Sequence, residues 1–387
     1  MDKITFCIPS KDNLRYLKTC IPSIRKNAYR DDHDIVVFVD KDTDGTVNWL
    51  HSVVEEYNLH VIINPNLNDS LFGIGKAYDE CIKIASTDVV MVFHADMMLG
   101  KHADKKAFDL LESKTAVCST RVEPPLHPNA GEKILRDFGM WPEEFKEEAF
   151  DEFVQREIQS DKVTEGIFAP WMVYKKDFLA IGGHDPILKS CREDSDVFNR
   201  MLLAGFNFKQ PWNSLVYHLT GRGAGSFSGD EERHKAWQNE MNNSTKEFIR
   251  KWGSNVLHEP LMKPIVAPKY NIGIIVVNCN EKLIEVLEPW CDLLRVDCDF
   301  TNYIKEEQSN TAYDLSERVI KYQNDSKSTD IFITVDGEKF SNEDFQYIQQ
   351  MSQIIEQSAS EGEVYQLGNL TVKVTKKKEY QQNLINV

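Results

Sequence analysis

The first hundred residues carry a rhythm that few folds can accommodate. Short, largely apolar runs at Ile4–Ile8, Ile35–Val39, Val61–Ile63 and Asp88–Phe93 alternate with segments that are apolar at helical spacing. Leu14, Leu17, Ile21 and Ile24 form one such face. Val47, Leu50, Val54 and Tyr57 form a second, and Ile74, Ala77, Tyr78, Cys81, Ile82 and Ala85 a third. The run Ile35–Val39 is apolar on both sides of the chain, as a strand covered on both faces must be. Strand and helix in strict alternation predict a parallel, doubly wound sheet flanked by helices. Pro22 falls inside the first helical face, where a missing amide predicts a kink.

The pattern loosens further on. Residues 121–165, rich in Pro, Glu and aromatics, read as an irregular insertion. Regularity returns with a strand over Ile167–Tyr174, a helix near Lys176–Ile181, a Gly182-Gly183 break and a helix over Glu193–Ala204 that Gly205 ends. A short strand over Leu215–Tyr217 ends at His218, and the glycine-rich segment 219–230 reads as a mobile loop. A helix with Trp237, Phe248 and Trp252 follows. Pro260, Pro264 and Pro268 then mark a linker. Beyond it, strands are expected at Asn271–Val277, Asp330–Val335 and 363–375, and helices near 281–294, 311–323 and 341–357. The predicted organisation is a large α/β domain over 1–259, a linker over 260–269 and a small α/β domain of unknown role over 270–387.

Composition excludes several classes. With 45 Lys and Arg against 61 Asp and Glu, the net charge is −16, opposite to the global charge of a nucleic-acid binder. No apolar run approaches the ~18–20 residues that span a bilayer, and the N-terminus lacks a secretory apolar segment, so a soluble, cytoplasmic chain is predicted. None of the eight cysteines forms a C-x-x-C pair, which predicts buried reduced thiols rather than a zinc site or a disulfide framework.

Ligands of open α/β sheets sit at the carboxyl ends of the strands. Here those ends read Pro9-Ser10, Asp40, Asn64 and His94-Ala95-Asp96. Asp96 with His218 suits Mn²⁺ or Mg²⁺ on a diphosphate; equally, the carboxylate caps a strand and the histidine packs. Glu193-Asp194-Ser195-Asp196 opens a helix, where carboxylates answer the helix dipole and where an ionised general base would also sit. Gly73-Ile74-Gly75-Lys76-Ala77 precedes a helix but lacks both the dinucleotide fingerprint and a Walker ending. Gly221-Arg222-Gly223 either folds over phosphates, with Arg222 donating, or merely connects. Trp141, Trp171 and Trp212 either stack on a sugar or base or pack in the core. No G-x-S-x-G, H-E-x-x-H or kinase signature occurs.

Taken in order, these motifs resemble the family-2 glycosyltransferases of GT-A fold over roughly residues 3–255. Phe6–Asn13 looks like the opening strand and nucleotide-contacting turn. Val39–Thr46 is similar to the family's V-D-D-x-S-x-D-G-T, one residue shorter. Gly73–Tyr78 matches its G-x-x-x-A-x-N segment, and His94-Ala95-Asp96 lies at the D-x-D position with His94 replacing the first acid. Ile181–Asp185 followed by Glu193-Asp194 matches the acceptor-side block.

The resemblance implies a GT-A-type, Rossmann-like, mainly parallel mixed sheet and an inverting, metal-dependent transfer from a nucleoside-diphosphate sugar, UDP-sugar first, to an acceptor hydroxyl. It implies Asp194 as general base beside Glu193, and Asp96 and His218 as ligands of Mn²⁺ or Mg²⁺. Donor contacts are expected from Pro9, Ser10, Asp40, Asn64, Gly73, Lys76, His94, Ala95, Trp171 and Arg222, with Asp40 on the base. A glycan, a lipid-linked sugar, a protein or a modified nucleic acid would accept. The alternatives are a sugar nucleotidyltransferase and a nucleotide-sugar binding module without turnover.

Overall fold

The computed structural model describes residues 1–220, 231–322 and 328–378. The chain divides into two compact units, Met1–Glu240 with His258–Pro264, and Met241–Leu257 with Ile265–Val387. The division falls within the helix Glu231–Trp252, N-terminal to the proline-marked linker expected at 260–269. Among the described residues no helix is long and apolar enough to cross a membrane.

The first unit opens as its alternation predicts: β1 (Thr5–Lys11), α1 (Leu14–Asn27), β2 (Asp34–Lys41), α2 (Thr46–Val53), β3 (Leu59–Ile63), α3 (Ile74–Ile84) and β4 (Val89–Val92). Helix α1 runs on through Pro22. There follow β5 (Met97–Leu99), α4 (Ala103–Phe108), β6 (Thr115–Cys118), β7 (Thr120–Glu123), β8 (Ile134–Leu135), α5 (Glu147–Glu157), β9 (Val163–Thr164) and β10 (Trp171–Tyr174). The unit continues with α6 (Lys175–Ala180), α7 (Glu193–Leu203), β11 (Asn207–Pro211), β12 (Leu215–His218) and the start of α8 (Glu231–Trp252).

Eight strands form the main sheet in the order β3-β2-β1-β4-β10-β6-β11-β9. β1 pairs in parallel with β2 and β4, and β2 with β3; β10 runs antiparallel to β4 and β6. The sheet is therefore mixed and mainly parallel, as expected. Because β1, β2 and β4 point the same way, their carboxyl ends emerge at one edge. The strands are buried throughout, with Phe6, Ile8, Val37, Val39 and Met91 fully covered. A second sheet, β5-β12-β7-β8, sets β12 between β5 and β7.

The segment expected to be an irregular insertion contains α5. Phe150, Phe153 and Val154 fall on one face of that helix and pack with Phe138, Val122 and Tyr217 beneath the second sheet. Glu147 and Glu148 in its first turn answer the helix dipole. The apolar spacing is short and lies among acids, so composition hid it.

In the second unit six strands order as Val319–Lys321, Leu293–Val296, Ile272–Val277, Ile331–Asp336, Leu370–Val374, Val364–Leu367. The first four are parallel neighbours, and the last two form an antiparallel hairpin. Two expected helices are shorter than predicted. The one expected over 281–294 ends at Leu287 ahead of a 3₁₀ turn containing Pro289, and Leu293–Val296 pairs as a strand with Gly273–Val276. The one expected over 311–323 shrinks to Leu315–Arg318, because Val319-Ile320-Lys321 joins the sheet. Buried charges hold this unit: Arg250 donates to Glu288 at 2.7 Å and to Glu307 at 2.7 Å, and Arg318 to Glu288 at 2.6 Å. All eight cysteines are free, and Cys7, Cys20, Cys81, Cys118 and Cys291 are buried.

Trp171 is a core residue. It lies on the central strand β10, 1 % exposed, with its ring 5.6 Å from that of Phe178 and 6.0 Å from that of Phe198. The sheet interior holds it, so the expected donor contact is withdrawn. Trp171→Ala should lower the stability of the first unit by about 3–5 kcal/mol in urea unfolding. It should leave nucleotide affinity unchanged wherever the variant is still folded.

Candidate active site

The parallel strand ends frame a cavity of about 230 Å³. Pro9, Ser10 and Lys11 from β1, Asn13, Asp40 from β2, Gly73, Ile74 and Ala77 around the start of α3, His94-Ala95-Asp96 after β4, Ser190, His218, and Trp237 and Glu240 from α8 line it. An adjoining space of about 560 Å³ shares Lys11, Asp40, Leu71, Trp237 and Glu240 and extends to Asp12, Thr43 and Asn68. Ser10 Oγ and Asn13 Oδ1 are buried without a hydrogen-bond partner among the described residues. Buried polar atoms without partners are rare, and two in one cavity wall suit a polar ligand.

At the floor, His94, Asp96 and His218 bring one ligand atom each to within 4.8 Å of one another. Asp96 directly precedes β5, and His218 ends β12. The antiparallel pairing His218↔Met97 sets the two side by side, and Leu219 N donates to Asp96 O at 3.1 Å. His218 Nε2 lies 3.5 Å from Asp96 Oδ1, and the His94 and His218 rings meet edge to face at 5.7 Å. Burial pushes His94 down to about 4, leaving its imidazole neutral and its lone pair available at neutral pH. Burial also opposes charge on His218, but Asp96 and Glu123 outweigh it and raise that ring to about 9. Two imidazoles and a carboxylate are a fitting donor set for a divalent transition-metal cation. The sequence placed only Asp96 and His218 in the metal site; the fold adds His94.

Other expected donor residues divide. Pro9, Ser10, Gly73 and Ala95 line the cavity, as does Asp40. The carboxylate of Asp40 is nevertheless engaged within the protein. It accepts from Asn64 Nδ2 at 2.8 Å, Phe72 N at 2.7 Å and Gly73 N at 3.0 Å. Asp40 thereby ties the loop before α3 to the end of β2. Asn64 is absent from the linings of both spaces and acts as a brace, donating to Asp40 O and Ser70 O as well. Lys76 lines neither space, and its Nζ sits 5.0 Å from the centre of the Phe72 ring. Gly73 is needed on two counts: its φ is +97°, and a Cβ would stand 3.0 Å from Lys189 O. Arg222 and most of the loop 219–230 lie outside the described residues.

The acidic pair opens α7. Its preceding turn is fixed from two sides. Arg200 donates to Ile181 O and Gly183 O and is itself held by Asp196 at 2.8 Å, while Asp79 accepts from His184 N and pairs with His184 Nδ1 at 2.7 Å. A Cβ on Gly183 would meet Asp79 at 2.6 Å, and Gly182 holds a φ of +88°, which together explain the glycine pair. Asp194 is exposed and accepts from Ser195 N at 2.6 Å; its charge is felt at His94. Glu193 Oε2 is shut off from solvent without a partner among the described residues, and burial, with the charge of Asp194 second, pushes Glu193 up to about 8. Glu193 is thus mostly neutral at neutral pH.

The sequence reading missed Glu123. It ends β7, is 1 % exposed, and its Oε1 stands 2.8 Å from His218 Nδ1. Its only sequence signal was the strand-like Thr120–Val122 ahead of Pro124, submerged in the Pro- and Glu-rich segment.

Residues 5–179 match the model of the family described as Glycosyl transferase family 2. No curated protein matches the sequence. Among solved structures, residues 1–349 of TarS from S. aureus in complex with UDP are similar at 15 % identity, with 56 % of this chain and 60 % of that chain covered and a TM-score of 0.41. This chain therefore spans about three fifths of that structure's length. The S. aureus TarS 1–349 structure whose description names no ligand aligns at 14 % identity over 65 % and 74 % of the two chains, TM-score 0.42. GalNAc-T7 with UDP, GalNAc and Mn²⁺ aligns at 10 % identity over 64 % and 50 %, TM-score 0.43. Over residues 5–179, a little under half of its length, the chain is similar to glycosyl transferase family 2.

Proposed function

We propose that this chain is an inverting, cation-dependent glycosyltransferase that moves a sugar from a nucleoside-diphosphate sugar, UDP-sugars first among those to test, to an acceptor hydroxyl. The observation that carries the reading is the meeting of His94, Asp96 and His218 at the floor of a cavity built from the strand ends of a family-2 segment. Ser10 and Asn13 contribute oxygens with unspent hydrogen-bonding capacity to the donor, and Asp40 holds the Phe72-Gly73 loop that forms one wall. A divalent cation bound by His94, Asp96 and His218 would supply positive charge to the departing nucleoside diphosphate. Imidazole nitrogens favour Mn²⁺ over Mg²⁺ in such a set.

Asp194 takes the proton of the acceptor hydroxyl, and the oxygen attacks the anomeric carbon in line, so no covalent enzyme intermediate is required. Glu193 is unsuited to that step because its carboxyl is mostly protonated at neutral pH. Its neutral form avoids a second negative charge beside Asp194. The reading assigns the transfer to the domain over 1–259 and leaves 270–387 outside the chemistry.

Incubation with UDP-, GDP- and dTDP-sugars, with Mn²⁺, Mg²⁺ or EDTA, should give slow nucleoside diphosphate release from one donor class. Mn²⁺ should act at lower concentration than Mg²⁺, and EDTA should abolish release. Pyrophosphate release would instead identify a sugar nucleotidyltransferase, and calorimetric binding without turnover on any acceptor a binding module. Asp194→Asn should cut kcat by about 10²–10⁴ while donor binding measured by calorimetry stays intact; equal activity would remove Asp194 from the base role. A group whose pKa rises on folding stabilises the fold fully below its unfolded value. That contribution is lost as pH climbs through the folded value, here about 8. Glu193→Gln should therefore gain stability over the wild type as pH rises from about 5.5 to 8.5, by more than about 1 kcal/mol in urea unfolding.

A further inference from the structure

We propose that Glu123 is a positioning residue for the cation site: its carboxylate holds His218 as the Nδ1–H form, so that Nε2 is presented beside Asp96. The inference rests on the cation reading above.

Three adjacent strands bring the groups together. β12 lies between β5 and β7, pairing Tyr217 with Met98 on one side and with Val122 on the other. Asp96, His218 and Glu123 consequently sit in a row across the sheet, one at the end of each strand. His218 uses its two ring nitrogens in opposite directions, Nδ1 to Glu123 Oε1 at 2.8 Å and Nε2 toward Asp96 Oδ1 at 3.5 Å. A carboxylate accepts and cannot donate when ionised, so Nδ1 carries a proton, and Nε2, which gives up its own proton when a cation takes its place, is the nitrogen left for a metal.

Glu123 is kept ionised and fixed from behind. Lys133 Nζ stands 2.9 Å from Oε2 and Arg121 Nη1 3.2 Å from Oε1, and the Arg121 guanidinium lies 3.9 Å from the centre of the Phe168 ring. Lys133 is itself buried, with Glu132 Oε1 at 3.7 Å. Such a carboxylate–histidine–metal chain fixes the ring's tautomer and orientation and strengthens its basicity.

A purely structural role, neutralising Lys133 and Arg121, makes a different prediction. Mn²⁺ binding would be measured by the loss of the free-ion EPR signal for the wild type, Glu123→Gln, Glu123→Asp and Val122→Ala. Val122 is a buried apolar neighbour, packed in the cluster with Phe138, Phe150 and Tyr217, and serves as a control for lost stability. Glu123→Gln should weaken Mn²⁺ about 10–100-fold, with Val122→Ala near the wild type and Glu123→Asp in between. Equal affinity in Glu123→Gln and the wild type overturns the proposal, as does an equal loss in Val122→Ala. Long-range ¹H–¹⁵N NMR of the wild type loaded with Zn²⁺ gives a readout that needs no variant to fold. It should find His218 protonated at Nδ1 and metal-bound at Nε2, and binding through Nδ1 overturns the proposal. If the wild type binds neither ion, or His218→Ala binds both as well as the wild type does, the cation reading itself falls, a result distinct from the loss of Glu123's role alone.

Discussion

The parallel register of β1, β2 and β4 is the constraint on which the site depends. Phe6 lies opposite Ile35 on one side and Met91 on the other, so the three strands run out at the same edge. Each strand brings its own polar groups to that edge: Ser10 and Asn13 from the first, Asp40 from the second, and the His94–Asp96 turn from the third. Both faces of these strands are buried, so a slipped register would carry the polar strand ends into the apolar interior. The polar groups at the edge are thus positioned by hydrophobic packing that they do not take part in.

A second layer of order comes from carboxylates whose oxygens are spent inside the protein. Asp40 ties the Phe72-Gly73 loop, Asp79 ties the turn at His184, and Asp196 orients Arg200 on the Gly183 carbonyl. Each accepts charge-assisted hydrogen bonds that are stronger than neutral ones. They fix the walls around His94, Asp96 and His218. The acidic residues that look most like chemistry in the sequence are therefore of two kinds, braces and working groups.

The second unit shares the strand–helix logic but not the open edge. Asn278 Nδ2 donates to Asp336 Oδ1 at 2.9 Å where its strand order reverses, and a Cβ on Gly337 would meet Asn278 O at 2.5 Å. Its buried Arg250–Glu288–Arg318 cluster is a structural core of charge, in which losing one partner would strand the others.

Local pattern determined much of this protein. The alternation of buried strands with amphipathic helices fixed the sheet and its edge, and Pro9, Ser10, Asp40, Gly73, Ala95, Asp96 and His218 were legible because each sits at a strand end, at a turn before a helix or within a recognisable motif. What only the tertiary structure decided was which of them face one another. Asn64 and Asp40 became braces because a loop with free amides folds back on them, and Trp171 became core because β10 is central in the sheet. The helix at Phe150 emerged because a second sheet needed covering. His94 and Asp96 came beside His218, and Glu123 came to stand behind it, for one reason: hydrogen bonding between β5, β12 and β7 links residues about a hundred positions apart, and no spacing along the chain encodes that pairing.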